Sequence, residues 1–97
     1  MPKYIALLRW TNDGIKNVSQ SSSRLDSAKA LLTAAGGQFE SLYMTLGDYD
    51  MIAILSAPDD ATVARFALSV GAQGSVRTKT LRAFGEDEYR DLTSSVG

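Results

Sequence analysis

The sequence predicts an α+β fold in which two helices cover one face of a four-stranded antiparallel sheet. Runs of strand-forming residues alternate with two amphipathic helical segments in the order strand, helix, strand, strand, helix, strand. A short glycine-containing turn joins the second and third strands. The 97 residues, 44% of them hydrophobic, suffice for one domain and its core but not for two, so residues 1–97 are expected to form a single domain.

The first half of the chain predicts a strand followed by a helix. Lys3 to Trp10 is almost continuously apolar, as in a central strand with both faces covered. Alternation places Ile5 and Leu7 on one face and Tyr4, Ala6 and Leu8 on the other. After a polar stretch with a turn at Asn12-Asp13-Gly14, apolar residues recur at helical spacing from about residue 20 to residue 35, where Gly36-Gly37 ends the helix.

The second half repeats this order after a hairpin. Residues 38–46 and 50–56 predict neighbouring antiparallel strands, with Phe39, Ser41 and Tyr43 on one face of the first. Asp59 or its neighbour is a suitable N-cap for the second helix, which ends near Gly71 and Gly74. Residues 75–84 predict the last strand. Residues 85–97 form an acidic tail, for which we expect a solvated segment, with a short helix docked on a partner subunit as the alternative.

This order is the split βαβ pattern of ferredoxin-like domains. Right-handed crossovers then place both helices on one face of a sheet with strand order 4-1-3-2 and leave the other face uncovered. We predict that this open face pairs with that of a second copy, giving a homodimer. The residues assigned to the interface are Tyr4, Ala6, Leu8, Tyr43, Met51, Ala53 and Leu55.

The predicted topology brings several polar and aromatic residues to one edge of the sheet. The end of the first strand, the hairpin and the start of the last strand meet there, which predicts the mouth of a binding pocket. Gly47 can adopt the positive φ that a tight reversal needs, so the hairpin is the strongest functional lead. The candidate ligand-binding residues are Trp10, Asn12, Asp48, Tyr49, Asp50 and Arg77.

Four of these candidates have a structural and a functional interpretation. Trp10 either packs at the strand end or stacks on a ligand, and Tyr49 either packs on the open face or across the dimer interface or takes part in catalysis. The Asp50 carboxylate either accepts hydrogen bonds from loop amides or the start of the first helix, or acts as a general base or ligand contact beside Trp10 and Tyr49. Arg77 either belongs to a basic strand that discourages aggregation, or binds Asp48, Asp50 or a small anion. The structural interpretation is preferred for all four.

Composition removes several classes of function. Cysteine and histidine are absent, which excludes disulfides, thiolate chemistry and the common imidazole bases and metal ligands. Ten basic and eleven acidic side chains nearly cancel, so neither nucleic acid nor a membrane surface is favoured as a partner. We assign no metal site and no cofactor. The first residues lack the zones of a signal peptide, which predicts a cytoplasmic protein.

Three segments make the chain resemble the GYD domain family of small bacterial proteins. They are the opening strand Tyr4 to Leu8, the turn Leu46-Gly47-Asp48-Tyr49-Asp50, and residues 74–84. The family is named for a Gly-Tyr-Asp signature, which here has one additional residue between glycine and tyrosine. It is similar to the dimeric α/β-barrel group of ferredoxin-like proteins, and the resemblance therefore implies paired sheets.

Three functions are consistent with these features. The preferred one is a non-enzymatic, homo-oligomeric module that binds a small metabolite or regulates other components. The second is a cofactor-independent monooxygenase or isomerase with Trp10, Asn12, Tyr49 and Asp50 around an aromatic substrate. The third is a structural oligomer. A cavity lined by Trp10, Tyr43 and Tyr49 inside a dimeric barrel would favour the first two.

Overall fold

A computed structural model describes the whole chain, Met1–Gly97. The strands are β1 (Lys3–Trp10), β2 (Gln38–Met44), β3 (Met51–Ser56) and β4 (Val76–Ala83). The helices are α1 (Asn12–Lys16), α2 (Ser21–Ala34), α3 (Asp60–Ala72) and α4 (Glu86–Ser94), with a single 3₁₀ turn at Val18–Gln20. α2 and α3 are the two helices predicted from the sequence. None of the helices is both long and apolar enough to cross a lipid bilayer.

The four strands form one antiparallel sheet with the spatial order β2-β3-β1-β4. β1 lies in the centre and pairs with β3 and β4, with Ala6 opposite both Ala53 and Thr80. β2 pairs with β3 at the edge. This confirms the ferredoxin-like fold and the predicted strand order. The central position also explains why β1 is apolar on both faces.

The register of β2 shifts once, between Phe39 and Ser41. Phe39 lies opposite Leu55, whereas Ser41 lies opposite Ile54, on the other face of the sheet. The expectation that Phe39 shares a face with Ser41 and Tyr43 is therefore wrong, because the extra residue of a bulge interrupts the alternation. On the helix side, the ring of Phe39 packs edge-on against Phe66 of α3, with 5.9 Å between ring centroids.

The core lies between the sheet and the helices α2 and α3. It is built around Leu32 of α2 and Val63 of α3, and it includes four residues that were predicted to face a second copy: Tyr4, Ala6, Ala53 and Leu55. Leu8 packs against this core, and Met51 lines a cavity on the same side. The assignment of these six residues to the open face is thus wrong. Only Tyr43, which is 61% exposed opposite Ile52, lies on the open face as predicted.

The open face carries the alternate residues of the central strands. Ile5 lies between Ile54 and Leu81, and Leu7 lies between Ile52 and Lys79. The four side chains from β1 and β3 are only half-buried, and Leu81 is 50% exposed. No helix of the chain covers this apolar surface, which is the open face.

The polar region after β1 is more ordered than the sequence predicts. Thr11 caps α1, its Oγ1 accepting a hydrogen bond from the Gly14 amide at 3.1 Å, so a five-residue helix replaces the expected simple turn. A Cβ atom on Gly14 would lie 1.9 Å from the carbonyl oxygen of Ser75. Glycine therefore permits the backbone of α1 to contact the start of β4 directly.

The C-terminal segment forms the helix α4 rather than a solvated tail. An ion pair between Arg82 and Glu88, with 3.8 Å between the charged atoms, connects its start to β4. Tyr89 and Leu92 lie three residues apart on this helix and are both more than half exposed, as is Val96 just beyond its end. α4 is thus an amphipathic, acidic helix whose apolar stripe has no partner within its own chain.

Candidate functional site

The hairpin between β2 and β3 is hydrogen-bonded to the end of β1. Gly47 has a φ of +113°, which allows the chain to reverse. The Asp50 amide donates a hydrogen bond to the Leu8 carbonyl at 2.9 Å, and one Asp50 carboxylate oxygen accepts the Trp10 amide at 2.9 Å. The carboxylate thus holds a backbone amide, as the structural interpretation of Asp50 expects, but this amide belongs to the last residue of β1 and not to a loop or a helix.

The loop after β1 is likewise hydrogen-bonded to the residues that precede β4. The Thr11 amide donates to the Ser75 carbonyl at 3.0 Å, and the Thr11 hydroxyl donates to the Gly74 carbonyl at 2.5 Å. Three segments that are far apart in sequence therefore meet at one edge of the sheet, as the topology predicts. Trp10 lies at their junction.

A cavity of about 70 Å³ lies next to this junction, between the sheet and the helices α2 and α3. The lining is mostly apolar and comes from the central strands and the inner faces of both helices. At one end it becomes polar, with Trp10, Ser21, Arg24, Gln73 and Ser75. Trp10 is therefore the only one of the predicted ligand-binding residues that lines this cavity.

Trp10 and Arg24 are the most distinctive groups of the polar end. The indole Nε1 of Trp10 is buried and has no hydrogen-bond partner. Arg24 donates from Nη2 to the carbonyls of Asn17 at 3.1 Å and Gly14 at 3.4 Å, which positions its guanidinium against the α1 loop. Arg24 was missed at the sequence level, although it precedes Ala28 by four residues and so shares the inner face of the helix.

The other candidates lie outside the cavity. The Arg9 guanidinium stacks over the ring of Tyr49, 4.9 Å from its centroid, and Arg9 lies opposite Arg77 on the open face. Asn12 and Asp48 are exposed. No ion pair joins Arg77 to Asp48 or Asp50. The six predicted residues thus meet at one edge but divide between the two sides of the sheet, with Trp10 on the helix side and Tyr49 beside Arg9 on the other.

A buried tyrosine links the sheet to the start of α3. The Tyr4 hydroxyl donates to a carboxylate oxygen of Asp60 at 2.5 Å. Burial, the hydrogen bond to Asp60 and the Asp60 charge raise the pKa of Tyr4 to about 12, against a smaller opposite effect of Arg82. The phenol is therefore neutral at physiological pH and serves as a donor. Since its partner is a helix-terminal carboxylate, we assign the pair to packing.

Asp59 caps the same helix. Its carboxylate accepts the Thr62 hydroxyl at 2.7 Å and the Thr62 amide at 2.8 Å. These hydrogen bonds lower the pKa of Asp59. The N-cap predicted from the sequence is confirmed, and it lies at the end of the sheet away from the hairpin.

The fold and the edge described above define a ferredoxin-like domain with an additional acidic C-terminal helix. The chain belongs to the GYD domain family, whose sequence model matches residues 4–93. It is also similar to a Thermus thermophilus protein named glutamine synthetase and cystathionine beta-lyase binding protein. The two are 36% identical over 84 residues, which are 86% of this chain and 88% of the relative.

Two solved structures share the fold at lower identity. The first is TTHA0845, also from Thermus thermophilus, with a TM-score of 0.56 and 21% identity over 88% of this chain and 95% of that one. The second is the leucine response regulatory protein LrpA of Mycobacterium tuberculosis, with a TM-score of 0.57 and 14% identity over 87% of this chain. The match spans 51% of LrpA, so this chain corresponds to about half of that protein.

Proposed function

We propose that this protein is a non-enzymatic binding module that attaches, as a homodimer, to a metabolic enzyme and regulates it. The observation that carries the proposal is the presence of two apolar surfaces without a partner in one copy, the open face and the stripe on α4. Small monomeric proteins rarely leave such surfaces in water, and they are typical of association sites. The relative that is named for binding two enzymes supports the same function.

The open face is the surface proposed for self-association. Its apolar centre is formed by Ile5, Leu7, Ile52 and Ile54, and basic residues lie towards the hairpin end, with Arg9 opposite Arg77 and Lys79 opposite Leu7. Like charges at neighbouring positions repel each other and favour an acidic partner surface. The face therefore requires a partner that is apolar in the middle and acidic at one end.

A second copy offers such a surface in α4. The first turn of α4 carries Glu86, Asp87 and Glu88, and the helix starts beyond the opposite end of the sheet from Arg77. A two-fold axis perpendicular to the strands would place this end of one copy over the basic end of the other. Charge complementarity and the apolar stripe of α4 thus both favour a second copy of this chain as the occupant.

The alternative of a cofactor-independent enzyme has less support. It requires Trp10 and Tyr49 to surround one substrate, but Trp10 lines the helix-side cavity and Tyr49 stacks with Arg9 on the other side of the sheet. The carboxylate between them, Asp50, already accepts the Trp10 amide. A purely structural oligomer would use the same open face, so it differs from our proposal only in having no enzyme partner.

Direct binding to the two enzymes named for the relative tests the proposal. Purified protein would be titrated against glutamine synthetase and cystathionine β-lyase from its own organism by biolayer interferometry, with serum albumin as a control. We expect saturable binding to at least one of them and a change in its activity at saturation. Absence of binding to both at up to about 100 µM, where weak specific complexes are still detected, would contradict enzyme binding and leave the structural oligomer.

A further inference from the structure

The cavity between the sheet and the helices is not used by the proposed function, although it has the features of a ligand site. Its volume of about 70 Å³ is several times the roughly 10–15 Å³ needed for one water molecule. Ala6, Ala53, Leu25 and Ala28 are among its apolar lining residues. Water finds few hydrogen-bond partners on such a surface, so a compact apolar group is the occupant that suits it.

The polar end of the cavity favours hydrogen-bond acceptors. An indole N–H can only donate, and that of Trp10 is buried without a partner. Arg24 uses only Nη2 in its two carbonyl contacts, although a guanidinium has five N–H donors. Trp10 and Arg24, each of which has unused donor capacity, therefore both line the same end of one cavity.

The charge at this end has the sign that an anion requires. Arg24 and Gln73 line both the cavity and a polar groove outside it, which continues with Gln20, Ser23 and Ser27. No aspartate or glutamate lines either space, and no ion pair involves Arg24. The guanidinium thus has no counter-ion from its own chain, whereas carboxylates are the anions that arginine binds most directly.

We propose that this cavity binds a small monocarboxylate with a compact apolar body. The body occupies the space between the sheet and the helices, and the carboxylate accepts hydrogen bonds from Trp10 Nε1 and the Arg24 guanidinium at the polar end. Amino acids fit less well, because no acidic side chain lines the site to pair with their ammonium group. The proposal is independent of the homodimer and of the enzyme partner.

The single tryptophan makes the site directly observable. Because Trp10 is the only tryptophan, a ¹H–¹⁵N spectrum of the labelled protein contains one indole N–H signal. We would titrate the protein with 3-methylbutanoate and with 3-methylbutanamide, its neutral analogue. We expect a saturable shift of the indole signal with the acid and an affinity about tenfold lower for the amide, since a charged acceptor strengthens both hydrogen bonds. No shift, or equal affinities, would overturn the proposal.

Filling the cavity tests whether the ligand occupies it. Ala28→Leu adds volume on the inner face of α2, and Ala30→Leu makes the same change at an exposed position of the same helix. We expect no saturable shift of the indole signal in the first variant. The second variant should bind 3-methylbutanoate as the wild type does. Ala67→Leu fills the cavity from α3 and replaces Ala28→Leu if that variant fails to fold. Wild-type affinity in a folded cavity-filling variant would exclude the cavity as the site.

Removing the charge tests the polar end. Arg24→Gln should weaken 3-methylbutanoate binding about tenfold and leave the affinity for 3-methylbutanamide nearly unchanged. Lys29→Gln removes one positive charge from an exposed position of the same helix and is the matched control. Circular dichroism would verify that both variants retain the helix content of the wild type. If both variants lost the same affinity for 3-methylbutanoate, the effect would come from net charge alone, and the role of Arg24 would be overturned.

Discussion

The two faces of the sheet have similar apolar content but different environments. On the helix side, Tyr4, Ala6, Ala53 and Leu55 are at most 5% exposed. On the open face, the neighbouring residues Ile5, Leu7, Ile52 and Ile54 are only half-buried. The hydrophobicity of a strand residue therefore does not reveal what covers it. In this chain one face completes the core of a single copy, and the other is left uncovered.

The largest effect should come from comparing two adjacent residues of β3. Leu55→Ala leaves a void in the core and should lower the unfolding free energy by about 2–5 kcal/mol. Ile54→Ala lies on the open face, and its cost should depend on protein concentration, because in the proposed dimer part of the packing of Ile54 comes from the second copy. Urea unfolding of both variants over a wide concentration range measures the difference. A concentration-independent loss for Ile54→Ala would contradict association through the open face.

The next effect concerns the oligomer itself. Ile54→Glu places a charge in the apolar centre of the open face and should convert the proposed dimer into a monomer of 10.4 kDa, as measured by light scattering. Leu68→Glu is the matched control, because Leu68 is 74% exposed on α3, away from the open face. We expect this control to keep the mass of the wild type. A dimeric Ile54→Glu variant, or a monomeric wild type, would rule out the proposed interface.

A smaller effect on stability is expected where the hairpin contacts the end of β1. Asp50→Ala leaves the Trp10 amide without its acceptor and should cost about 1–3 kcal/mol of unfolding free energy. Asp50→Asn keeps an acceptor oxygen and should cost clearly less. Thermal unfolding of both variants tests this structural role. If the two variants were equally destabilised, the charge of Asp50 rather than the hydrogen bond would be the important feature.

The smallest effect should appear only in alkaline solution. Because folding raises the pKa of Tyr4 from 10.0 to about 12, its contribution to stability is complete below about pH 10 and declines as the pH approaches 12. Tyr4→Phe removes this contribution and should unfold with a weaker pH dependence in that interval. Urea unfolding at pH 9, 10 and 11 compares the two proteins. Identical pH dependence would mean that the tyrosine remains neutral in both states or ionises in both.

Much of the candidate site was predictable because it follows from topology. The hairpin with Gly47, the end of β1 and the start of β4 had to meet once the strand order was known, and the structure places Trp10 at that junction. The side of the sheet on which each side chain lies was not predictable in the same way. Arg24 and Gln73 reach the cavity from two different helices, and only their packing brings them together.

The error about the faces has a specific cause. β1 and β3 are apolar on both sides, so their alternation does not distinguish inside from outside. β4 does distinguish them, because it alternates Val76, Thr78 and Thr80 with Arg77 and Lys79. Unpaired charged side chains belong on the uncovered face. The register is needed to transfer this distinction to β1. It places Leu7 opposite Lys79, so Leu7 lies on the uncovered face.

The amino-acid sequence by itself determined the strands, the two main helices and the strand order, because periodicity, capping residues and the handedness of crossovers are local or nearly local properties. Only the tertiary structure decided which apolar face of the sheet is covered and that Trp10 and Arg24 line one cavity. It also left the apolar residues of α4 without a partner in their own chain. These features depend on register, on the bulge in β2 and on helix packing, which join residues that are distant in the sequence.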